Sequence, residues 1–165
     1  MIVLGVDPGS QRTGYGVVDT DGRRHRLVEQ GTLAPGPRLS LPEKLRHIHV
    51  GLTDLIARVR PDALAVEDCF HAVNTRTALV LGHVRGVVLL AGAEAGLPVH
   101  EYPPATVKLQ VTGSGRAEKG QVAFMVTRLL TLERAAEASD ATDALAVALC
   151  FACTDARSSP APVRS

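Results

Sequence analysis

The first forty residues place apolar positions as strands do. Ile2 to Val6 is an unbroken apolar run that ends on Asp7. Tyr15 to Val18 and roughly His25 to Leu33 flank Asp21-Gly22, a dipeptide suited to the turn of a hairpin. Ala34 to Pro37 is a Pro- and Gly-rich loop. The period then changes. Leu45, Ile48, Leu52, Leu55, Ile56 and Val59 recur at helical spacing and form one apolar stripe. Ser40 and Glu43 have the spacing of a capping box, Pro42 suits the first turn, and Pro61 stops the helix.

Ala63 to Glu67 is a second short apolar strand that ends in acid. A long helix is predicted from about Thr77 to Glu94. Its small and apolar residues cover more than one face, which implies burial against the domain and against something else. Pro98 to Tyr102 reads as a strand closed by Pro103-Pro104, and Thr112 to Gly115 as a flexible loop. Further helices are predicted from about Lys119 to Leu130 and from about Ser139 to Cys153. The Ser- and Pro-containing tail, residues 155–165, is predicted to be disordered. Without an internal repeat or linker, residues 1–154 read as one domain. Hairpin strands followed by alternating strands and helices imply an α/β fold with a mixed sheet and helices on its faces.

Composition narrows this little. The 165 residues are 45 % hydrophobic and 21 % charged, with a net charge of +1, so any basic surface must come from local clustering. No apolar run is read as approaching the ~20 residues of a membrane span. No basic segment precedes the first apolar stretch, so no signal peptide is read there. Three cysteines, Cys69, Cys150 and Cys153, are too few for a disulfide scaffold, and a cytoplasmic location is expected. Cys150 and Cys153 lie in an apolar helical run and read as core.

The chemistry lies in the acids. Asp7 and Glu67 end strands, while Asp140 and Asp143, at i and i+3, share one face at the start of the last helix. Alternation sends the neighbours Glu67 and Asp68 to opposite faces, and Glu67 is the one expected in the site. Four converging carboxylates repel one another, and divalent cations relieve that repulsion. Mg²⁺ favours a few carboxylates plus water and phosphate, and two such ions suit phosphodiester hydrolysis. Lys108, Arg116, Lys119 and Arg128 oppose only Glu118 in their stretch and read as a phosphate-contacting rim, with Lys119 also able to stabilise charge on the scissile phosphate. Phe70, in the polar neighbourhood of His71 and Asn74, could wedge against unstacked bases. His71 reads as a surface residue.

In order along residues 1–152, these pieces resemble the RuvC-type Holliday junction resolvases. The resemblance is carried by Gly5-Val6-Asp7-Pro8-Gly9-Ser10 with Thr13-Gly14-Tyr15-Gly16, and by Ala65-Val66-Glu67 followed by Phe70 and Asn74. Leu81-Gly82 with Arg85-Gly86, Glu101-Tyr102-Pro103-Pro104, Lys108, Ala117-Glu118-Lys119 and Asp140 to Ala146 complete it. One departure is Val73, where a basic residue often precedes the asparagine.

The resemblance implies a ribonuclease H-like fold and a homodimeric, Mg²⁺- or Mn²⁺-dependent endonuclease. Such an enzyme cuts two strands of like polarity at a four-way DNA junction and leaves 5′-phosphate and 3′-hydroxyl ends. It implies a metal and catalytic set of Asp7, Glu67, Asp140 and Asp143, with two ions per subunit. Lys108 and Lys119 would be its basic helpers and Phe70 its aromatic residue beside the junction centre; together with Asn74, Arg76 and Arg116 from this chain's own pattern, they are the candidate DNA contacts. The helix beginning near Thr77 would be the dimer helix. The RuvA and RuvB branch-migration proteins are further candidate partners. Three alternatives stay open: another ribonuclease H-like nuclease, a non-catalytic junction-binding protein, and an actin- or sugar-kinase-like nucleotide-binding domain. The last is disfavoured by the short, unrepeated chain.

Overall fold

The computed structural model describes residues 1–68, 74–133 and 139–158, without the side chains of 155–158. Strands β1 (Ile2–Asp7), β2 (Thr13–Thr20) and β3 (His25–Leu33) pair antiparallel in succession. Asp21 fixes the predicted turn: its Oδ1 accepts from the backbone N–H groups of Arg23 and Arg24 at 2.9 and 2.7 Å. Gly22 takes φ +87°, which favours glycine. Helix α1 (Leu41–Val59) starts where the sequence marks it. Ser40 donates from its backbone N and its Oγ to Glu43 Oε2. It ends at Arg60, in the left-handed region before Pro61.

Strand β4 (Ala63–Glu67), helix α2 (Thr75–Glu94) and strand β5 (Val99–Tyr102) follow. Helices α3 (Pro104–Thr112), α4 (Lys119–Leu129) and α5 (Asp140–Ser158) complete the described chain. The five-stranded sheet has the order β3-β2-β1-β4-β5. β4 is parallel to β1, and β5 is parallel to β4.

Strand alternation divides the core into two layers. Leu4, Val6, Leu64 and Val66 point to one face and pack with Ile48, Leu52 and Leu55 of α1 and with Val84, Val88 and Ala91 of α2. Val3, Ala63 and Ala65 point to the other, where α5 lies. Residues Ala144 to Ala152 of α5 are all buried, between the sheet and the residues Val107, Val111, Val122 and Val126 of α3 and α4. A helix covered on both sides explains why its middle is nearly all apolar. Cys150 belongs to this layer, and burial pushes its thiol up to about 12, as expected of a packing residue. Helices on both faces of a mixed sheet give the α/β, ribonuclease H-like architecture that the resemblance implies.

Three elements depart from the sequence reading. Helix α3 was not expected, since Pro103-Pro104 reads as a stop. Pro104 instead occupies the first turn, where its missing N–H is not needed. Helix α5 runs on past Cys153 to Ser158, into the stretch assigned to the tail; residues 159–165 lie outside the described residues. Helix α2 is long and apolar enough to cross a membrane by length and composition, although no such run was expected. Only one side of it is used in the fold. Val84, Val88 and Ala91 are buried, while Leu79 is 61 % exposed and Leu90 50 %. The open side forms a groove of about 660 Å³ along Leu79, Gly82, Gly86 and Leu90.

Arg85 anchors α2 to the sheet. Its guanidinium pairs with Glu101 of β5, and its buried Nε stands 3.5 Å from Asp68 Oδ1. Asp68 follows the last residue of β4, so the contact fixes that strand's end. Arg85→Ala leaves two carboxylates facing a lost countercharge and should destabilise the protein by ~1–3 kcal/mol. Urea unfolding of the variant checks this, and an unchanged midpoint would refute the anchoring role.

Candidate active site

The register of the central strands builds the site. The last recorded pair of the parallel β1–β4 ladder is Val6 with Val66, so both strands end side by side on Asp7 and Glu67. Val6 and Val66 face α1 and α2, and alternation therefore turns Asp7 and Glu67 toward α5. Asp68 turns the other way, toward Arg85.

Helix α5 reaches this edge because glycines let it approach. A Cβ on Gly5 would stand 2.2 Å from the Ala144 carbonyl oxygen. Gly14, paired with Asp7 across β1–β2, would place a Cβ 2.0 Å from the Asp140 carbonyl oxygen. The first turn of α5 thus lies directly on β2 beside Asp7. Ser139 precedes it, and its Oγ accepts weakly from Thr142 N at 3.4 Å. Asp140 and Asp143 open the helix, where acids are favoured by its dipole.

Asp7 lies within electrostatic reach of the other three acids. Asp7 is pushed up to about 8, first by burial, then by the charges of Glu67 and Asp143, by a hydrogen bond with Glu67, and by the charge of Asp140. The Asp7–Glu67 pair therefore favours retaining one proton between its two carboxylates near neutral pH. The other two acids have cationic partners. Arg12 Nε lies 2.7 Å from Asp140 Oδ2, and Lys119 Nζ lies 2.9 Å from Asp143 Oδ2. That pairing raises the Lys119 pKa.

The expected metal cage is not closed in this arrangement. Among the described residues no three acidic, histidine or cysteine side chains stand close enough to hold one ion. The donor set nonetheless fits a hard divalent cation. Asp7 and Glu67 are oxygen donors on adjacent strand ends, joined by a side-chain hydrogen bond. Asp140 and Asp143 lie within electrostatic reach on paired cations.

The basic residues divide by position. Lys119, first residue of α4, sits at the acids, while Lys108 on α3 and Arg116 in the following loop have no carboxylate partner among the described residues. Arg128 instead stacks over the exposed ring of Phe124, 5.8 Å from its centroid. Asn74 caps α2, its Oδ1 accepting from Thr77 N at 2.9 Å, and Arg76 is exposed in the first turn. Phe70, His71 and Val73 lie outside the described residues. Arg12 was missed by sequence reasoning. The β1–β2 loop holds it, braced by Thr13 Oγ1 donating to the Gly9 carbonyl at 2.8 Å, and a lone arginine in a loop gives no periodic signal.

Known proteins resemble this chain in sequence and fold. The family model for crossover junction endodeoxyribonuclease RuvC matches residues 3–151. A RuvC crossover junction endodeoxyribonuclease of Desulforamulus reducens is 49 % identical over 152 residues, covering 92 % of this chain and 93 % of its own. That of Halorhodospira halophila is 54 % identical over 150 residues, covering 91 % and 89 %. The solved Thermus thermophilus RuvC structure, 37 % identical, superposes with a TM-score of 0.88 over 96 % of this chain and 97 % of its own. The structure of T. thermophilus RuvC in complex with Holliday junction substrate, also 37 % identical, gives 0.90 with 96 % of both chains covered. On a match that spans both core layers and all four acids, this chain belongs to the RuvC family of crossover junction endodeoxyribonucleases.

Proposed function

We propose that this protein is a cytoplasmic crossover junction endodeoxyribonuclease that resolves Holliday junctions in recombination and repair by paired, symmetric nicks. Family membership supports the reaction class. The observation that carries the site assignment is the meeting of Asp7, Glu67, Asp140 and Asp143 at one sheet edge under the start of α5. Asp7 and Glu67 would be the first ligands of a divalent cation, with Asp140 and Asp143 completing the set. The finer reading is Mg²⁺, with Mn²⁺ able to substitute, at two ions per subunit. A bound ion of this kind polarises a phosphodiester oxygen and makes water a better nucleophile at neutral pH.

The chain's own groups do the rest. Asp7 and Glu67 would hold such a cation as carboxylates, so Asp7 would have to give up the proton it shares with Glu67, a loss that nearby positive charge favours. Arg12 and Lys119 hold Asp140 and Asp143 in place while the site is unliganded. Lys119 Nζ, on release from Asp143, would stabilise the growing charge on the scissile phosphate. The products would be 5′-phosphate and 3′-hydroxyl ends. Phe70, Asn74, Arg76, Lys108, Arg116 and Lys119 form the proposed DNA contacts.

A second copy of the chain would cover the open groove of α2. Exposed Leu79 and Leu90 border glycines 82 and 86, at which a Cβ would meet nothing within 4 Å. Two sites related by a two-fold axis suit a four-way junction, which is itself roughly two-fold symmetric. Leu79→Glu with Leu90→Glu, which sets like charges against one another across a two-fold contact, should convert a dimer to a monomer in sedimentation equilibrium; an unchanged mass would move the interface elsewhere. The family resemblance alone supports RuvA and RuvB as further partners.

The reading is tested by mapping nicks on a synthetic four-way junction with Mg²⁺, Mn²⁺ or chelator, against an RNA–DNA hybrid duplex. Symmetric, metal-dependent nicks on the junction support it. Cleavage of the hybrid alone assigns another nuclease of the same fold, and binding without nicking assigns a junction-binding protein.

A further inference from the structure

We propose that the cleft between the β1–β2 loop, α1 and α2 is a phosphate-binding site for the DNA strand that crosses the acidic edge, with Lys44 as its principal cation. The inference deepens the proposed function and rests on it. The cleft has a volume of about 340 Å³ and is lined by Ser10, Gln11, Lys44, Arg76 and Thr77, with Leu41 adding apolar surface. Ser10 and Gln11 follow Asp7 in the same loop, so the cleft adjoins the acidic edge.

Charge is what a DNA strand needs there. Net charge is only +1, so affinity for a polyanion must come from cations left unpaired near the site. Arg12 and Lys119, the cations nearest the acids, are held by Asp140 and Asp143. Lys44 and Arg76 have no carboxylate partner among the described residues. The neighbouring acid on α1, Glu43, is already bonded to Ser40 N and Oγ. Two cations from two helices thus converge on a cleft whose other polar lining, the Ser10 and Thr77 hydroxyls and the Gln11 amide, can donate to phosphate oxygens. Lys108 and Arg116 provide unpaired charge from the α3–α4 side. A strand lying over Asp7 and Glu67 would then be gripped on both flanks of the acids, with Lys44 and Arg76 holding the α1–α2 flank.

The test is binding of a fluorescently labelled synthetic four-way junction in chelator, measured across salt concentrations. Each phosphate contact removed lowers the slope of log K against log[salt] by about 0.9. Lys44→Ala should lose about tenfold in affinity and show that drop in slope. Lys44→Arg should restore both, which separates charge from a folding defect. Arg46→Ala, on α1 but outside the cleft, should keep wild-type affinity and slope. The inference is overturned if Lys44→Ala binds as wild type does, or if Arg46→Ala loses as much. Its failure is distinct from failure of the functional reading. In the first case wild type still binds and nicks the junction, whereas a wild type that does neither overturns both.

Discussion

Asp7→Asn should abolish metal-dependent nicking of a four-way junction, by ~10³-fold or more, and should at the same time make the metal-free protein more stable at pH 8. The first effect follows from removing a ligand oxygen. Several kcal/mol of transition-state stabilisation depend on the bound cation, and each 1.4 kcal/mol is about tenfold in rate. Junction binding, which depends on cations contacting phosphates rather than on the acids themselves, should survive. The second effect follows from the cost of holding an acid there. Asp7 is raised to about 8 by burial and by Glu67, Asp143 and Asp140.

The sign of the pH dependence is set by that shift. An unfolded aspartate loses its proton near pH ~3.9. Between there and about pH 8 the folded chain keeps a proton on Asp7 that the unfolded chain has released. Stability of the metal-free protein therefore falls as pH rises through this window, and the part due to Asp7 levels off above it. Asn carries no charge and its amide can still donate to Glu67. The variant should gain ~2 kcal/mol or more at pH 8, about 5 °C in midpoint, and its pH profile should flatten. Adding Mg²⁺ should stabilise wild type and not the variant. Thermal melts from pH 5 to 9, with and without Mg²⁺, read all three. A variant that melts below wild type at pH 8 would sink the account of Asp7 as a repelled acid. A variant that still nicks would sink its assignment as a ligand.

Much of the site was legible because strand and helix periods fix where side chains point. Asp7 and Glu67 end apolar runs, and alternation alone separates Glu67 from Asp68; the structure sends Asp68 to Arg85. The i, i+3 pair Asp140 and Asp143 required only that α5 pack on the sheet. How close α5 lies was less visible, since Gly5 and Gly14 matter through backbone atoms more than a hundred residues away in sequence. Arg12 and the Lys44–Arg76 cleft join loops to helices and carry no local signature. Helix α3 was hidden by its own pattern. Val107, Leu109 and Val111 alternate as a strand would, yet Val107 and Val111 are buried while Leu109 is exposed, the i, i+4 signature of a helix. The period of a nine-residue stretch is too short to separate the two readings, and Pro104 marks a helix start as readily as a stop.

The approach of α5 makes the other large prediction. Gly14→Ala adds one methyl group at a position opposite Asp7, where a Cβ would lie 2.0 Å from the Asp140 carbonyl oxygen and 3.0 Å from Ala141 N. These are backbone atoms in the first turn of a helix, so no side chain can swing away. Either β2 or the start of α5 must move by an ångström or more. Overpacking of this kind costs ~1–3 kcal/mol. The larger consequence is for chemistry, because Asp140 and Asp143 ride on that turn. A displacement near 1 Å in a positioned catalytic group costs ~10²-fold in rate. Gly14→Ala should therefore nick a saturating junction at least ~100-fold more slowly while remaining folded, and its Mg²⁺ requirement should rise. Gly120→Ala, in α4 with nothing within 4 Å of the added carbon, is the contrasting case: the same change of atoms should leave stability equal or slightly higher. Single-turnover nicking and thermal melts of the two variants settle the point. If Gly14→Ala keeps a rate within threefold of wild type, the turn carrying Asp140 and Asp143 is not held by β2, and another contact must position it.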